Sequence, residues 1–494
     1  MALLMYRFLL LACISGSAMA MQFDKVTIEL GHPANGSMVH LEDAKLLAVS
    51  GFSQFERWLS LVNLAGDFNV QPVAIPANAQ YFSQARLIET DRAQNGPVSR
   101  QALVFLTLDG ISVYYPQAGQ TEPLISSSSL YRVLDKNRLR SSEFVLQLGS
   151  ERADFLIPDF NHSHLFRQQA DGSFKQYSLN IDALVTSWRD SPSYEPRRYY
   201  IADVDLDGRR DLVFIAGGKF QVFYQLADGA FNTEPVTQNW PVALSTEQQA
   251  DQRNDAGRSY TGQNIDSVRD ITDIDGDGIA DIVVNREQLA DALERTNSFR
   301  VHFGKQSVTG LQFNAEPETQ ITTDTSPIAV MIDDFNADGR KDFYISSTHF
   351  GVGTIVRVLL RGSANLDIDF YLLNGQRQYN SKADFQQNAV IDVSISNLRY
   401  DMPLFELADL DGSDQQSLIV GEGGDELRFY SPEPERLFSR RSERVKLPLP
   451  RDARKVMVAD LTGNGKDDIV LPFDAQDKEG QRNQLLLLMN TQSD

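Results

Sequence analysis

A nine-residue acidic pattern recurs along this chain, each time just ahead of a short apolar run, and no other feature restricts the fold as tightly. Asp203-Val-Asp-Leu-Asp-Gly-Arg-Arg-Asp211 precedes Leu212-Val-Phe-Ile215, and Asp273-Ile-Asp-Gly-Asp-Gly-Ile-Ala-Asp281 precedes Ile282-Val-Val284. Asp334-Phe-Asn-Ala-Asp-Gly-Arg-Lys-Asp342 precedes Phe343-Tyr-Ile345, and a weaker copy, Asp460-Leu-Thr-Gly-Asn-Gly-Lys-Asp-Asp468, precedes Ile469-Val-Leu471. When such a loop curls, the side chains at positions 1, 3, 5 and 9 and the carbonyl of position 7 converge, and glycine at position 6 permits the positive φ that the curl demands. The donors are oxygens without His or Cys, which selects a hard cation, Ca²⁺ before Mg²⁺. Convergent carboxylates with no cation among them repel one another.

An EF-hand begins the same way but needs Glu at position 12 between two helices. Position 12 here is Phe214, Val284, Ile345 or Leu471. These sit in β-branched and aromatic runs too short for a helix, and Arg198-Tyr-Tyr-Ile-Ala-Asp203 and Lys455-Val-Met-Val-Ala-Asp460 lead in with strand character. Each loop is therefore expected to join two strands.

The strands repeat as well. Phe166-Arg-Gln-Gln-Ala-Asp-Gly-Ser-Phe174 matches Phe223-Tyr-Gln-Leu-Ala-Asp-Gly-Ala-Phe231, each at the same distance after an Asp that opens an apolar run, Asp154 and Asp211. In that register, inner strands are expected to begin near Leu46, Leu103, Phe155, Leu212, Ile282, Phe343, Leu418 and Ile469. Separations of about 50 to 75 residues suit one four-stranded unit each, with surface insertions at Thr246 to Asn264, Arg286 to Asn297 (read as a short helix) and Gly375 to Asn388. The last unit supplies strands around Val456, Ile469 and Leu485 to Met489 and then lacks an outer strand. Phe23-Asp-Lys-Val-Thr-Ile-Glu-Leu30 alternates like a strand ahead of the first unit and fills that place. The expectation is an all-β propeller of four-stranded blades over residues 38–494, eight favoured and seven the alternative, closed by residues 23–30 as one domain spanning 21–494.

Residues 1–20 read as a signal peptide: Arg7, the apolar run Phe8 to Ile14, and small residues ending Ala18-Met-Ala20. Export to the periplasm, the cell surface or the medium follows. Cys13, the one cysteine, lies in this segment, where the apolar region before it is too short for a convincing lipobox, so the mature chain is expected to carry no disulfide. No later run approaches the length of a membrane-spanning helix. With 46 Lys+Arg against 67 Asp+Glu the formal charge is -21, which disfavours nucleic acid and anionic membrane surfaces as partners.

Repeated D-x-D-x-D-G-x-x-D loops between short strands resemble the FG-GAP/VCBS repeats of integrin α-subunit propellers and of many exported bacterial proteins. The resemblance runs from about residue 38 onward, strong at residues 203, 273 and 334 and faint in the first three units. It implies Ca²⁺ held by Asp203, Asp205, Asp207, Asp211 and the Arg209 carbonyl; by Asp273, Asp275, Asp277, Asp281 and the Ile279 carbonyl; and by Asp334, Asn336, Asp338, Asp342 and the Arg340 carbonyl. A fourth set is Asp460, Thr462, Asn464, Asp468 and the Lys466 carbonyl, with Thr462 and Asn464 replacing acids. Asp409-Leu-Asp411-Gly-Ser-Asp-Gln-Gln-Ser417 departs from the pattern, with serine at positions 5 and 9 and the glycine displaced, which weakens the case for a fifth site at Asp409 and Asp411.

No nucleophile is paired with a plausible base. His162-Ser-His164 puts two imidazoles on one strand face without the further ligands of a zinc site. Trp58, Trp188, Trp240, Tyr194, Tyr199 and Tyr200 are expected in blade packing rather than stacked on sugar rings. Two function classes follow: a non-catalytic binding, adhesion or scaffold propeller with a protein or glycan partner, and a polysaccharide lyase or glycosidase whose residues lie in the insertions. The first is favoured, and the oligomeric state is open.

Overall fold

In the computed structural model, the described residues are 23–91, 96–130, 139–141, 143–149, 152–188, 191–251, 262–289, 295–308, 310–349, 352–394, 399–433 and 436–491. The leader read from Arg7, Cys13 and Ala20 lies outside them.

Eight sheets of four or five strands follow one another along the chain, antiparallel except where Arg140–Ser141 joins Ala79–Asp91 in parallel. Their second strands are Leu46–Phe52, Gly96–Thr107, Asp154–Pro158, Asp211–Ala216, Asp281–Leu289, Asp342–Thr348, Ser417–Glu422 and Asp468–Pro472, the eight runs expected from the repeat register. The apolar run in each of these strands is buried because both of its faces are covered. Leu212 and Phe214 pack toward blade 3 while Val213 packs toward blade 5, so alternate residues serve two different interfaces.

The count of blades is fixed by these interfaces. Eight separate apolar clusters exist, one between each pair of neighbouring blades. The eighth joins Val470, Leu485 and Leu487 of the last blade to Leu47, Val49 and Val62 of the first, with Ile28 between them. The protein is an eight-bladed β-propeller.

Closure occurs as expected. Phe23–Glu29 pairs antiparallel with Gln484–Asn490, from Phe23 opposite Asn490 to Glu29 opposite Gln484, and supplies the outermost strand of the last blade. The main-chain N–H of Leu30 adds a bond to Asn483 O at 2.9 Å. The edge that Gln484–Asn490 would otherwise expose is thereby paired.

Two insertions differ from expectation. Arg286 to Asn297 is no helix: Asp281–Leu289 and Arg295–His302 extend as a hairpin to the pair Leu289–Arg295, because Gln263–Ile265 continues the sheet on the other side; residues 290–294 lie outside the described residues. Gly375 to Asn388 is loop only as far as Asp384, after which Phe385–Ser394 is a blade strand. The Thr246 to Asn264 insertion contains the helix Glu247–Asp251, and residues 252–261 lie outside the described residues. A helix at Val352–Arg361, between the second and third strands of blade 6, was not anticipated. Among the described residues no helix is long and apolar enough to cross a membrane.

Candidate functional site

All four acidic loops connect the first strand of their blade to the second and so lie on one rim of the ring. The carboxylate at position 1 organises each curl by accepting main-chain N–H groups. Asp203 accepts from Asp207 (3.0 Å) and Gly208 (2.8 Å), and Asp273 from Gly276 and Gly278 (both 2.8 Å). Asp334 accepts from Asp338 (3.1 Å) and Gly339 (2.7 Å), and Asp460 from Gly463 (2.7 Å) and Gly465 (2.8 Å). Position 6 is left-handed as expected, with φ from 79° at Gly465 to 87° at Gly208.

Position 4 is left-handed too, which the sequence reading missed. Its φ is 60° at Leu206, 76° at Gly276, 57° at Ala337 and 76° at Gly463. Glycine at 276, 412 and 463 is the signal that could have revealed it. At Leu206 and Ala337 the conformation costs about 1 to 2 kcal/mol, so the rest of the loop must hold it.

Position 9 does more than face a ligand site. Asp211, Asp281, Asp342 and Asp468 are fully buried, and each accepts one N–H from position 2 of its own loop and one from the end of the third strand. The pairs are Val204 (2.9 Å) and Gln225 (2.8 Å) for Asp211, and Ile274 and Gly304 (both 2.7 Å) for Asp281. They are Phe335 (3.4 Å) and Leu373 (2.9 Å) for Asp342, and Leu461 (2.9 Å) and Asn490 (2.6 Å) for Asp468. Burial pushes Asp211 and Asp281 up to about 7, Asp342 to about 8 and Asp468 to about 6, against the pull of these hydrogen bonds. Neighbouring loop carboxylates add to the rise.

Carboxylate oxygens of Asp203, Asp205 and Asp211 lie within 4.8 Å of one another, and so do those of Asp273, Asp275 and Asp281. Burial first, then the adjoining loop carboxylates, holds Asp205 and Asp275 above the usual range. These two triads use the expected positions 1, 3 and 9. The acids at position 5 turn to guanidinium groups instead: Asp207 to Arg209 and Asp338 to Arg340. Arg377, from blade 6, reaches Asp275 of blade 5, approaches Asp277 at 3.9 Å, and stacks its guanidinium 4.1 Å from the Phe303 ring. Sequence reading gave no hint of it. At position 7, the main-chain N–H of Arg209, Ile279, Arg340 and Lys466 donates to the position-5 side chain at 2.9 to 3.0 Å. In the weaker loops, Asn336 Nδ2 donates to Asp338 (3.2 Å), and the Asn464 amide donates to Asn490 O (2.9 Å), while Thr462 Oγ1 lies 3.4 Å from Asp460.

The loop at Asp409 keeps the curl and the acids at positions 1 and 3, with serine at positions 5 and 9. Asp409 accepts from Gly412 and Asp414 (both 2.8 Å), and Asp414 occupies the left-handed position 6 with φ 64°, so Asp takes the place of glycine. Position 9 is the buried Ser417. Loops of successive blades are also tied together: Lys341 N–H donates to Ile274 O (2.7 Å), Gln416 N–H to Phe335 O (3.3 Å) and Asp467 N–H to Asp409 O (2.7 Å).

The aromatic residues mostly pack. Trp240 lies between Phe220 and Phe313 and donates to Leu311 O at 2.9 Å; Trp58 stacks on His32. Tyr199 and Tyr200 donate to Glu143 O (2.6 Å) and Val268 O (2.8 Å), and burial pushes both hydroxyls up to about 12. Tyr194 is exposed in an edge-to-face pair with Phe160, while the Trp188 side chain is outside the described residues. His162 and His164 stack on one face, His164 sharing Asp159 (3.7 Å) and Ser178 (3.1 Å).

The sequence matches no protein-family model, and no curated protein matches it. Solved structures similar to it include the Dos1 propeller, 7% identical over 95% of each chain with a TM-score of 0.41. Another is an Agrocybe aegerita lectin described as recognising non-reducing terminal N-acetylglucosamine, 14% identical, covering 87% of this chain and 90% of that one, TM-score 0.40. A third is the WD40 domain of Toxoplasma gondii coronin, 9% identical, covering 96% and 88%, TM-score 0.33. Likeness this distant carries nothing about function, and the eight blades stand on their own sheets and interfaces.

Proposed function

We propose that this chain is an exported, calcium-stabilised propeller of the FG-GAP/VCBS kind that serves as a non-catalytic binding or scaffold module for a protein or glycan partner. The observation that carries it is the pair of acidic triads, Asp203/Asp205/Asp211 and Asp273/Asp275/Asp281, gathered within 4.8 Å on loops closed by main-chain N–H groups. Their oxygen-only donor set fits a hard divalent cation, and calcium would join the two inner strands of a blade by charge at the loop between them. Asp334, Asn336, Asp338 and Asp342 offer a third set, and Asp460, Thr462, Asn464 and Asp468 a fourth.

The alternative, a polysaccharide lyase or glycosidase on the same scaffold, needs a titratable base in the central mouth. On the first strand of blade 4, the hydroxyls of Tyr199 and Tyr200 are both committed to carbonyls with their proton held tightly. Native mass spectrometry of the mature protein tests the metal, with at least three Ca²⁺ expected. Incubation with acidic and neutral polysaccharides tests the rest: no new reducing ends or unsaturated uronic products are expected. Turnover abolished by a mouth substitution that leaves folding intact overturns the binding-module reading.

A further inference from the structure

Although the chain as a whole carries an excess of acid, two successive blades bring guanidinium groups to one cleft. Arg198 immediately precedes the first strand of blade 4 (Tyr199–Ala202), and Arg269 lies in the first strand of blade 5 (Gln263–Thr272). With Ser326–Val330 of blade 6 they line one cleft of about 600 Å³. First strands are the inner edges of the blades, so this cleft opens on the central mouth.

The two charges are not neutralised. Among the described residues neither Arg198 nor Arg269 forms an ion pair: Arg198 lies 5.0 Å over the Tyr200 ring, and Arg269 donates to the Val330 carbonyl. Asp270, the nearest carboxylate, accepts its own neighbour's N–H at 2.8 Å instead. Burial, then the positive charge of Arg198, holds the Arg269 guanidinium below its usual value, as expected of two cations sharing one space. The other cation of the cleft, Arg295, is different, being bonded to Glu287 at 3.0 Å. In the cleft between blades 8 and 1, on the other side of the ring, Arg454 is held by Asp452.

We infer that the Arg198–Arg269 cleft is a binding site for an acidic oligosaccharide, its uronate carboxylate seated between the two guanidinium groups. This rests on the binding-module reading and names its ligand class. Planar guanidinium suits carboxylate, and a ligand charge removes the repulsion between the two arginines. The rest of the lining matches the remainder of a sugar. Asn285 Oδ1 is buried with no hydrogen-bond partner, an acceptor for a ring hydroxyl, and Pro327 with the exposed Ile328 forms an apolar shelf for a ring face.

The test is calorimetric titration of the calcium-loaded full chain with trigalacturonate, neutral galactotriose and sodium sulfate. Trigalacturonate should bind at least about tenfold more tightly than either control, weakening as salt rises. Arg198→Gln and Arg269→Gln should each weaken it about tenfold or more while calcium stoichiometry and melting temperature stay unchanged. Equal binding of the neutral trisaccharide, sulfate binding as tightly as the oligosaccharide, or wild-type affinity in both variants overturns the inference. A neutral glycan or a protein bound with no effect of either substitution would sink the inference and leave the module reading intact. Cleavage of trigalacturonate with unchanged Arg dependence would do the reverse.

Discussion

Blades 3 and 4 open their second strands on the same residue and treat it in opposite ways. Asp154 and Asp211 are both buried, and each begins its strand. Asp211 faces the carboxylates of Asp203 and Asp205. Asp154 faces the Arg167 guanidinium at 3.4 Å, and the loop before it contains no acid at the matching positions. Arg167 also donates to Gly229 O of the next blade, so one side chain joins two blades. The difference teaches that the buried aspartate belongs to the blade rather than to the metal. It opens the second strand, buried, in both cases; Asp154 has a fixed cation beside it, whereas Asp211 faces only carboxylates, whose charge calcium would balance on the proposed reading.

The largest effect expected from breaking this comparison is at the fixed cation. Arg167→Met should destabilise the protein by about 3 to 5 kcal/mol, since it strands a buried carboxylate, and urea unfolding should give the same loss with calcium or with EGTA. Adding Asp154→Leu should recover most of it; no recovery would mean that the packing of Arg167, not its charge, matters.

Next is the clasp in the acidic blade. Asp211→Ala leaves the N–H groups of Val204 and Gln225 without acceptors and should cost about 2 to 4 kcal/mol. Because that cost is not metal's, it should persist in EGTA. A loss seen only with calcium would reduce Asp211 to a ligand and dissolve the likeness to Asp154.

Asp205→Ala sharpens the contrast from the other side. In EGTA its melting curve should match the unsubstituted protein, whereas with calcium at about a hundred times its Kd the variant should lack about 2 to 3 kcal/mol of stabilisation. The smallest effect is at Arg377. Arg377→Gln frees Asp275 of its resident guanidinium and should tighten calcium at that loop by about 1 kcal/mol or less, read as a modest leftward shift of one step in a calcium titration.

Much of this was legible in the residues because it is local. The curl at Asp203, Asp273 and Asp334 is written in nine consecutive residues, and the second strand follows at once. Even the closing strand could be read, since Val26, Ile28 and Leu30 alternate and the last blade lacks a partner. The helix at Val352–Arg361 was not legible, nor was the strand character of Arg286 to Asn297, because a short mixed segment takes its conformation from the sheet it extends.

The sequence by itself determined the repeat, the curl of each loop and which carboxylates lie within one loop's reach, for these follow from φ preferences and spacing over a few residues. Tertiary structure decided which charges are balanced and by what. Arg377 meets Asp275, Arg167 meets Asp154, and Arg198 and Arg269 share one cleft without an ion pair among the described residues. The reason is geometric: ring closure sets side chains from neighbouring blades face to face across interfaces that residue spacing along the chain does not encode.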